Sequence, residues 1–178
     1  MIVELDIAEQ LHAASVGVRR NIQSIRRGAL PKWGQGGAAL WGSHIEGAAG
    51  ELAVAKATNT YWNGALGDYD ADDVGGLQIR TTPHPNGCLI LHPSDPDDRP
   101  FILVIGTMPF FRLAGWMMGR DGKDPKWWRA GIDRPAFFVP QADLRPMEEL
   151  LSDGPQGNPI RSTANDPGDG YHPPGKEA

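Results

Sequence analysis

The sequence predicts an α/β (α+β) fold, a mixed β-sheet flanked by helices, with an N-terminal amphipathic helix and a disordered C-terminal tail. Three observations predict it. Apolar residues recur at three- and four-residue steps near the N-terminus. From Leu77 onward, short apolar runs are bounded by Gly, Pro or Asp. From Ser152 to the last residue, apolar side chains are almost absent. The 178 residues suit one domain of ordinary size with a real core. Within them we divide an N-terminal helix at 1–33, an α/β core at 34–151 and the tail at 152–178.

The elements follow in order. Leu11, Ala14, Val18, Ile22 and Ile25 have helical spacing, and Gly28 and Pro31 stop the helix. The stretch Trp33 to Gly37 is read as a loop. A second helix is expected from Ser43, an N-cap with Glu46 as its capping-box partner, to about Thr58. Its Gly47, Ala48, Ala49, Gly50 and Ala53 allow another element to approach closely. Strands are expected at Leu77–Thr82, Cys88–Leu91, Phe101–Ile105 and Ala136–Val139. The segment FFRLAGWMMG is read as a short helix. Asp95, Asp97 and Asp98 are read as a turn, since neither EF-hand spacing nor a terminal bidentate Glu accompanies them.

Composition narrows the function. The 23 glycines and 16 prolines are nearly twice the share of about 12% in average chains. They fit short strands joined by turns and a low-complexity tail. No apolar run approaches the ~20 residues of a membrane span, and the N-terminus lacks the pattern of a signal peptide. The single Cys88 excludes an internal disulfide framework and a Cys-based zinc site. A cytoplasmic protein is expected. The net charge of −5 argues against passive coating of nucleic acid, yet basic residues cluster locally. Arg19, Arg20, Arg26 and Arg27 lie on the first helix. Arg120, Lys123, Lys126 and Arg129 lie in a segment interleaved with Trp116, Trp127 and Trp128, a mixture suited to DNA contact. For Trp116 alone, burial in the core is the expected reason.

The chemistry concentrates in Ala71 to Arg80. Gly75-Gly76 between two apolar segments signals a two-residue hairpin turn. Val74 and Leu77 then flank the turn, and Asp73 faces Gln78. Arg80 projects on the same face as Gln78, opposite Ala71, while Leu77 and Ile79 point into the core. Glu51 shares a helical stripe with His44 and Gly47, and an acid on so small and apolar a face needs an explanation. Lys56 points elsewhere. A carboxylate, an amide oxygen and a guanidinium on one face suit phosphodiester hydrolysis, with a hard cation, Mg2+ or Mn2+, between the oxygens. The cation beside them stabilises the charge of the transition state.

The order GAAGE on a helix, then DVGGLQIR on a hairpin, resembles the PD-(D/E)XK nuclease superfamily. More narrowly, it is similar to small proteins of tailed bacteriophages that share the HIEGAAGELAVAKA helix, the ADDVGGLQIRTT hairpin, and the FILVIG, GWMMG and FFVP segments. The likeness spans roughly residues 43–146. It implies a restriction-endonuclease-like fold and a metal-dependent nuclease acting on DNA in a bacterial host cytoplasm. It further implies that Asp73 is the metal-binding aspartate, that Gln78 stands at the second acid, Arg80 at the lysine and Glu51 at the helix glutamate. Two residues depart from that pattern. Glutamine keeps a ligating oxygen but loses a negative charge, and arginine keeps the cation but cannot serve as a base. The alternative is therefore a catalytically degenerate module of the same fold that binds DNA or a protein. A homodimer or a phage protein partner is compatible with either.

Overall fold

The computed structural model describes residues 1–28, 38–64 and 72–152. The expected α/β class holds: among these residues four helices accompany a four-stranded and a three-stranded sheet. β1 (Ile2–Glu4), α1 (Ile7–Arg26) and α2 (Ala38–Thr58) come first. β2 (Gln78–Thr82), β3 (Leu89–Leu91), β4 (Pro100–Thr107) and β5 (Phe110–Met118) follow. The short α3 (Gly119–Gly122), β6 (Trp128–Arg129), β7 (Ala136–Val139) and α4 (Met147–Ser152) complete the order. The main sheet runs β1-β5-β4-β2, with β2 parallel to β4 and the other pairs antiparallel. The second sheet is β3-β7-β6. The expectations for Trp33–Gly37, for the Pro31 stop and for the tail beyond Ser152 fall outside the described residues.

β4 is apolar on both faces. Ile102 and Val104 point toward the helices, into a cluster with Ala48, Ala49 and Ala53 of α2 and Ala13 and Val16 of α1. Phe101, Leu103 and Ile105 point the other way, onto Leu89, Leu91 and Val139 of the second sheet. Each such side chain contributes about 1.5–3 kcal/mol through burial. The small α2 residues explain how a helix lies so close to the sheet. At Gly50 a Cβ would overlap the Thr81 side chain of β2.

Three sequence expectations are corrected. The chain opens with a strand: Val3 is buried between exposed Ile2 and Glu4 while the three residues pair with β5, and α1 begins only at Ile7. Asp6 caps α1 in a capping box with Glu9. The FFRLAGWMMG segment is a strand and not a helix. It pairs with all of β4, and the register slips between Leu103 and Val104. Phe111 and Leu113 face the helices, but so does Trp116, while Met117 faces the second sheet. One extra residue at Ala114–Gly115 reverses the alternation, so the period-two signal vanishes from the sequence. Gly115 has φ +154° at this point. Finally, α2 starts at Ala38, so Ser43 lies inside the helix, and Glu46 accepts a hydrogen bond from the Met108 N–H at 3.1 Å.

α1 also turns an unexpected face inward. Its buried residues are Ala13, Val16, Gly17 and Asn21, while Leu11, Ile22 and Ile25 are exposed. The small inward face lets the two helix backbones touch. A Cβ on Gly17 would sit 2.5 Å from Ile45 Cα and 2.8 Å from the His44 carbonyl oxygen. Gly17→Ala should therefore push α1 from α2 and cost about 1–3 kcal/mol, read as a lower urea midpoint at unchanged m-value.

Candidate functional site

The Gly75-Gly76 turn forms as expected, with φ +51° and +92°. Leu77 N–H donates to the Val74 carbonyl at 2.8 Å. The hairpin goes no further: Val74 and Leu77 form an isolated bridge, and residues 72 and 73 are not a strand. Asp73 does not face Gln78 as a cross-strand partner. Its Oδ2 instead accepts the backbone N–H of Ile79 at 2.7 Å. Gln78 Nε2 reaches Asp72 Oδ1 at 3.4 Å. Ala71 is outside the described residues, so its pairing with Arg80 is too.

β2 is the terminal strand of its sheet among the described residues, and this placement decides how the site residues meet. Ile79 packs in the helix-side cluster, and Thr81 lies under Gly50. Gln78 and Arg80, one residue out of phase, project from the opposite face. There the Arg80 guanidinium lies 5.0 Å from the Phe101 ring centre and donates to Asp95 Oδ2 at 3.1 Å. Gln78 and Arg80 thus share one face, as expected, and Asp73, held beside the strand by the Ile79 N–H, feels the charge of Arg80 as well as those of Glu51 and Arg20.

On the helix side, Glu51 is buried and fully engaged. Arg20 of α1 grips it with two parallel bonds, Nη1 to Oε1 at 2.6 Å and Nη2 to Oε2 at 2.8 Å. Trp62 Nε1 adds a third at 3.0 Å. Forked pairing of this kind suits a guanidinium and lends it direction as well as strength. Burial works against the Arg20 charge, but the hydrogen bonds and charge of Glu51, then the charge of Asp73, hold its pKa above the ordinary value. Burial, then the charge of Arg20, lowers the His44 pKa.

Asp73 is the perturbed group. Burial first, then repulsion from Glu51, push its pKa up to about 6. The Ile79 N–H and the charges of Arg80 and Arg20 pull in the other direction without cancelling this. A buried and a half-buried carboxylate are thus held within electrostatic reach of each other, and the Arg20 guanidinium acts on both.

The oxygen chemistry fits a hard cation in part. Asp73 has one carboxylate oxygen left over from the Ile79 bond. Gln78 donates through its nitrogen, so its amide oxygen remains for a ligand. Glu51 could join only in exchange for Arg20 and Trp62. Among the described residues no three His, Cys, Asp or Glu side chains gather around one point, so a cation here would also draw on neutral oxygens such as that of Gln78.

The basic residues divide into two groups. Arg19 and Arg26 on α1 are exposed, as is Arg27. Arg120 and Lys126 are exposed beside Asp121 and Asp124, and Lys126 lies over the Trp127 ring. Arg129 lies over Phe138. Arg20 and Lys123 are used internally: Lys123 donates to the Pro93 and Asp95 carbonyls and to Asp97. Those contacts brace the expected turn through Asp95, whose N–H bonds the His92 carbonyl. Lys56 points away from Glu51, to Glu9 and the Glu4 carbonyl. Trp116 is buried, with its Nε1 on the Pro146 carbonyl.

Three participants had no signal that the sequence reading used. Trp62 follows α2 with no pattern attached, Asp95 reads as a turn residue, and Arg20 reads as one of a surface row. Arg20 is one turn beyond Gly17, where α1 and α2 touch, and that spacing was the available clue. No family model, curated protein or solved structure matches the chain.

Two outcomes follow from the Asp73 titration. Folded Asp73 keeps its proton up to about pH 6, whereas an unfolded aspartate loses it near pH 4. Between those values the folded state holds the extra proton, so stability falls as pH rises and stays reduced above pH 6. Asp73→Asn, which keeps an acceptor for Ile79, should therefore be about 1–2 kcal/mol more stable at pH 8, an advantage that denaturant melts should find gone by pH 4. Arg20→Met removes a charge that favours ionised Asp73. Carboxyl-carbon NMR titration should show the Asp73 midpoint moving upward from about 6.

Proposed function

We propose that the chain is a metal-dependent phosphodiesterase acting on DNA, a phage-type member of the PD-(D/E)XK nuclease superfamily. The observation that carries this reading is the Asp73 carboxylate beside Glu51, its ionisation resisted first by burial and then by the Glu51 charge. Close like charges in a low-dielectric place reduce stability, and such pairs concentrate where chemistry needs them. Asp73 and Gln78 would hold Mg2+ or Mn2+, with Glu51 available when Arg20 lets go. The chemistry such an ion supplies is polarisation of the phosphate and a lowered pKa of an attacking water.

The chain's own residues have separate tasks. Asp73 must be ionised to serve as a donor. Arg80, already turned toward Asp95, offers a fork to phosphate oxygens and stabilises charge as it builds up. Exposed Arg19 and Arg26 of α1, and Arg120, Lys126 and Arg129 beyond β5, are the surfaces for the DNA backbone.

One observation favours the second reading, a catalytically degenerate module that binds DNA or a protein. Both Glu51 oxygens and both arms of Arg80, Nη1 on the Ile79 carbonyl and Nη2 on Asp95, already have partners inside the chain. The deciding measurement is cleavage of plain and modified DNA with Mg2+ or Mn2+. Cleavage should rise with pH through about 6, and Asp73→Ala should lower it on the order of a hundredfold or more. A wild type that cuts none of these substrates yet binds DNA returns the chain to the module reading.

A further inference from the structure

The outward face of α1 carries the inference. At 100° per residue, Ile7, Leu11, Ala14, Val18, Ile22 and Ile25 fall within an arc of about 80°. Of the buried α1 residues, Ala13, Val16 and Gly17 lie on the other side of the helix and Asn21 borders the arc beside Ala14. Its large members face solvent: Ile7 is 77% exposed, Leu11 67%, Ile25 57% and Ile22 43%. A continuous apolar seam along a helix of about 30 Å is uncommon on a surface with no partner. Spacing by threes and fours is that of a coiled-coil seam.

We propose that this seam is the interface of a two-fold symmetric homodimer, in which α1 packs antiparallel against α1 of a second copy. The seam pairs with itself when reversed about residue 16. Ile7 meets Ile25 of the other copy and Ala14 meets Val18, while Leu11 falls one residue, about 1.5 Å of rise, from Ile22. A two-fold contact requires such self-complementarity, because the same patch serves on both sides. Antiparallel pairing also opposes the two helix dipoles. Parallel pairing would stack like ends. The seam does not use the face that carries Arg20 to Glu51, so the dimer and the candidate site are independent.

Sedimentation equilibrium of the full chain at concentrations up to about 100 μM tests this. The wild type should run at twice the chain mass of 19.3 kDa. Leu11→Glu with Ile22→Glu should weaken self-association on the order of a hundredfold while leaving the circular dichroism spectrum unchanged. Ser15, exposed at the seam's edge beside residue 16, gives a test that leaves the seam intact. In a Cys88→Ser background, Ser15→Cys should oxidise to a covalent dimer, whereas Lys126→Cys should not. A monomeric wild type overturns the proposal, and so does a dimer that survives both glutamates or a Ser15→Cys protein that fails to cross-link.

Discussion

β4 must be buried on both faces, and the arrangement of the molecule follows from that requirement. Five consecutive large apolar residues, Phe101 to Ile105, cannot be satisfied by one layer, since alternate side chains leave opposite faces of the sheet. Helices cover one face and the small second sheet covers the other. With β5 on one side of β4, the parallel partner β2 takes the other and ends the sheet among the described residues. The polar groups gather along β2 because a terminal strand is the one place where charged side chains reach solvent from a two-sided core. Asp73 lies there, held to the Ile79 N–H and within the fields of charges from both faces.

The helical layer sets how Glu51 is used. α2 approaches the sheet through alanines and glycines, and α1 approaches α2 through Gly17. Such contacts leave no slack, and one turn beyond the crossing Arg20 meets Glu51 with both arms. Burying an ion pair is costly unless its remaining lone pairs are satisfied, and the Trp62 indole supplies that third bond. The pair is thus a closed unit, while Asp73 beside it is strained toward neutrality. One carboxylate is at rest and the other is not.

Much of the fold was legible in the sequence, because turns and caps are local chemistry. Gly75-Gly76, β7 and the end of α2 appear where composition and spacing put them. The errors have tertiary causes. β5 lost its alternation to a bulge that only its pairing with β4 explains. Apolar spacing predicts burial of the most apolar face of α1, yet the core takes the face with the smallest residues, since backbone proximity outweighs hydrophobicity there. At the site, residue identities were legible and their hydrogen-bond partners were not. Glu51 and Asp73 do interact, but phase along β2 sends Arg80 to Asp95, a partner about fifteen residues away that reads as an ordinary turn. Arg20 was counted with surface arginines because sequence cannot say which side of a helix crossing a long side chain takes.

The bond from Ile79 to Asp73 has one more consequence, for association in place of chemistry. A terminal strand presents unpaired N–H and C=O groups on which a foreign strand can build. By occupying the Ile79 N–H with a carboxylate, the chain removes one rung of that ladder and sets a negative charge where an incoming backbone carbonyl would have to lie. The residue proposed to hold a cation therefore also helps keep β2 from templating intermolecular sheet.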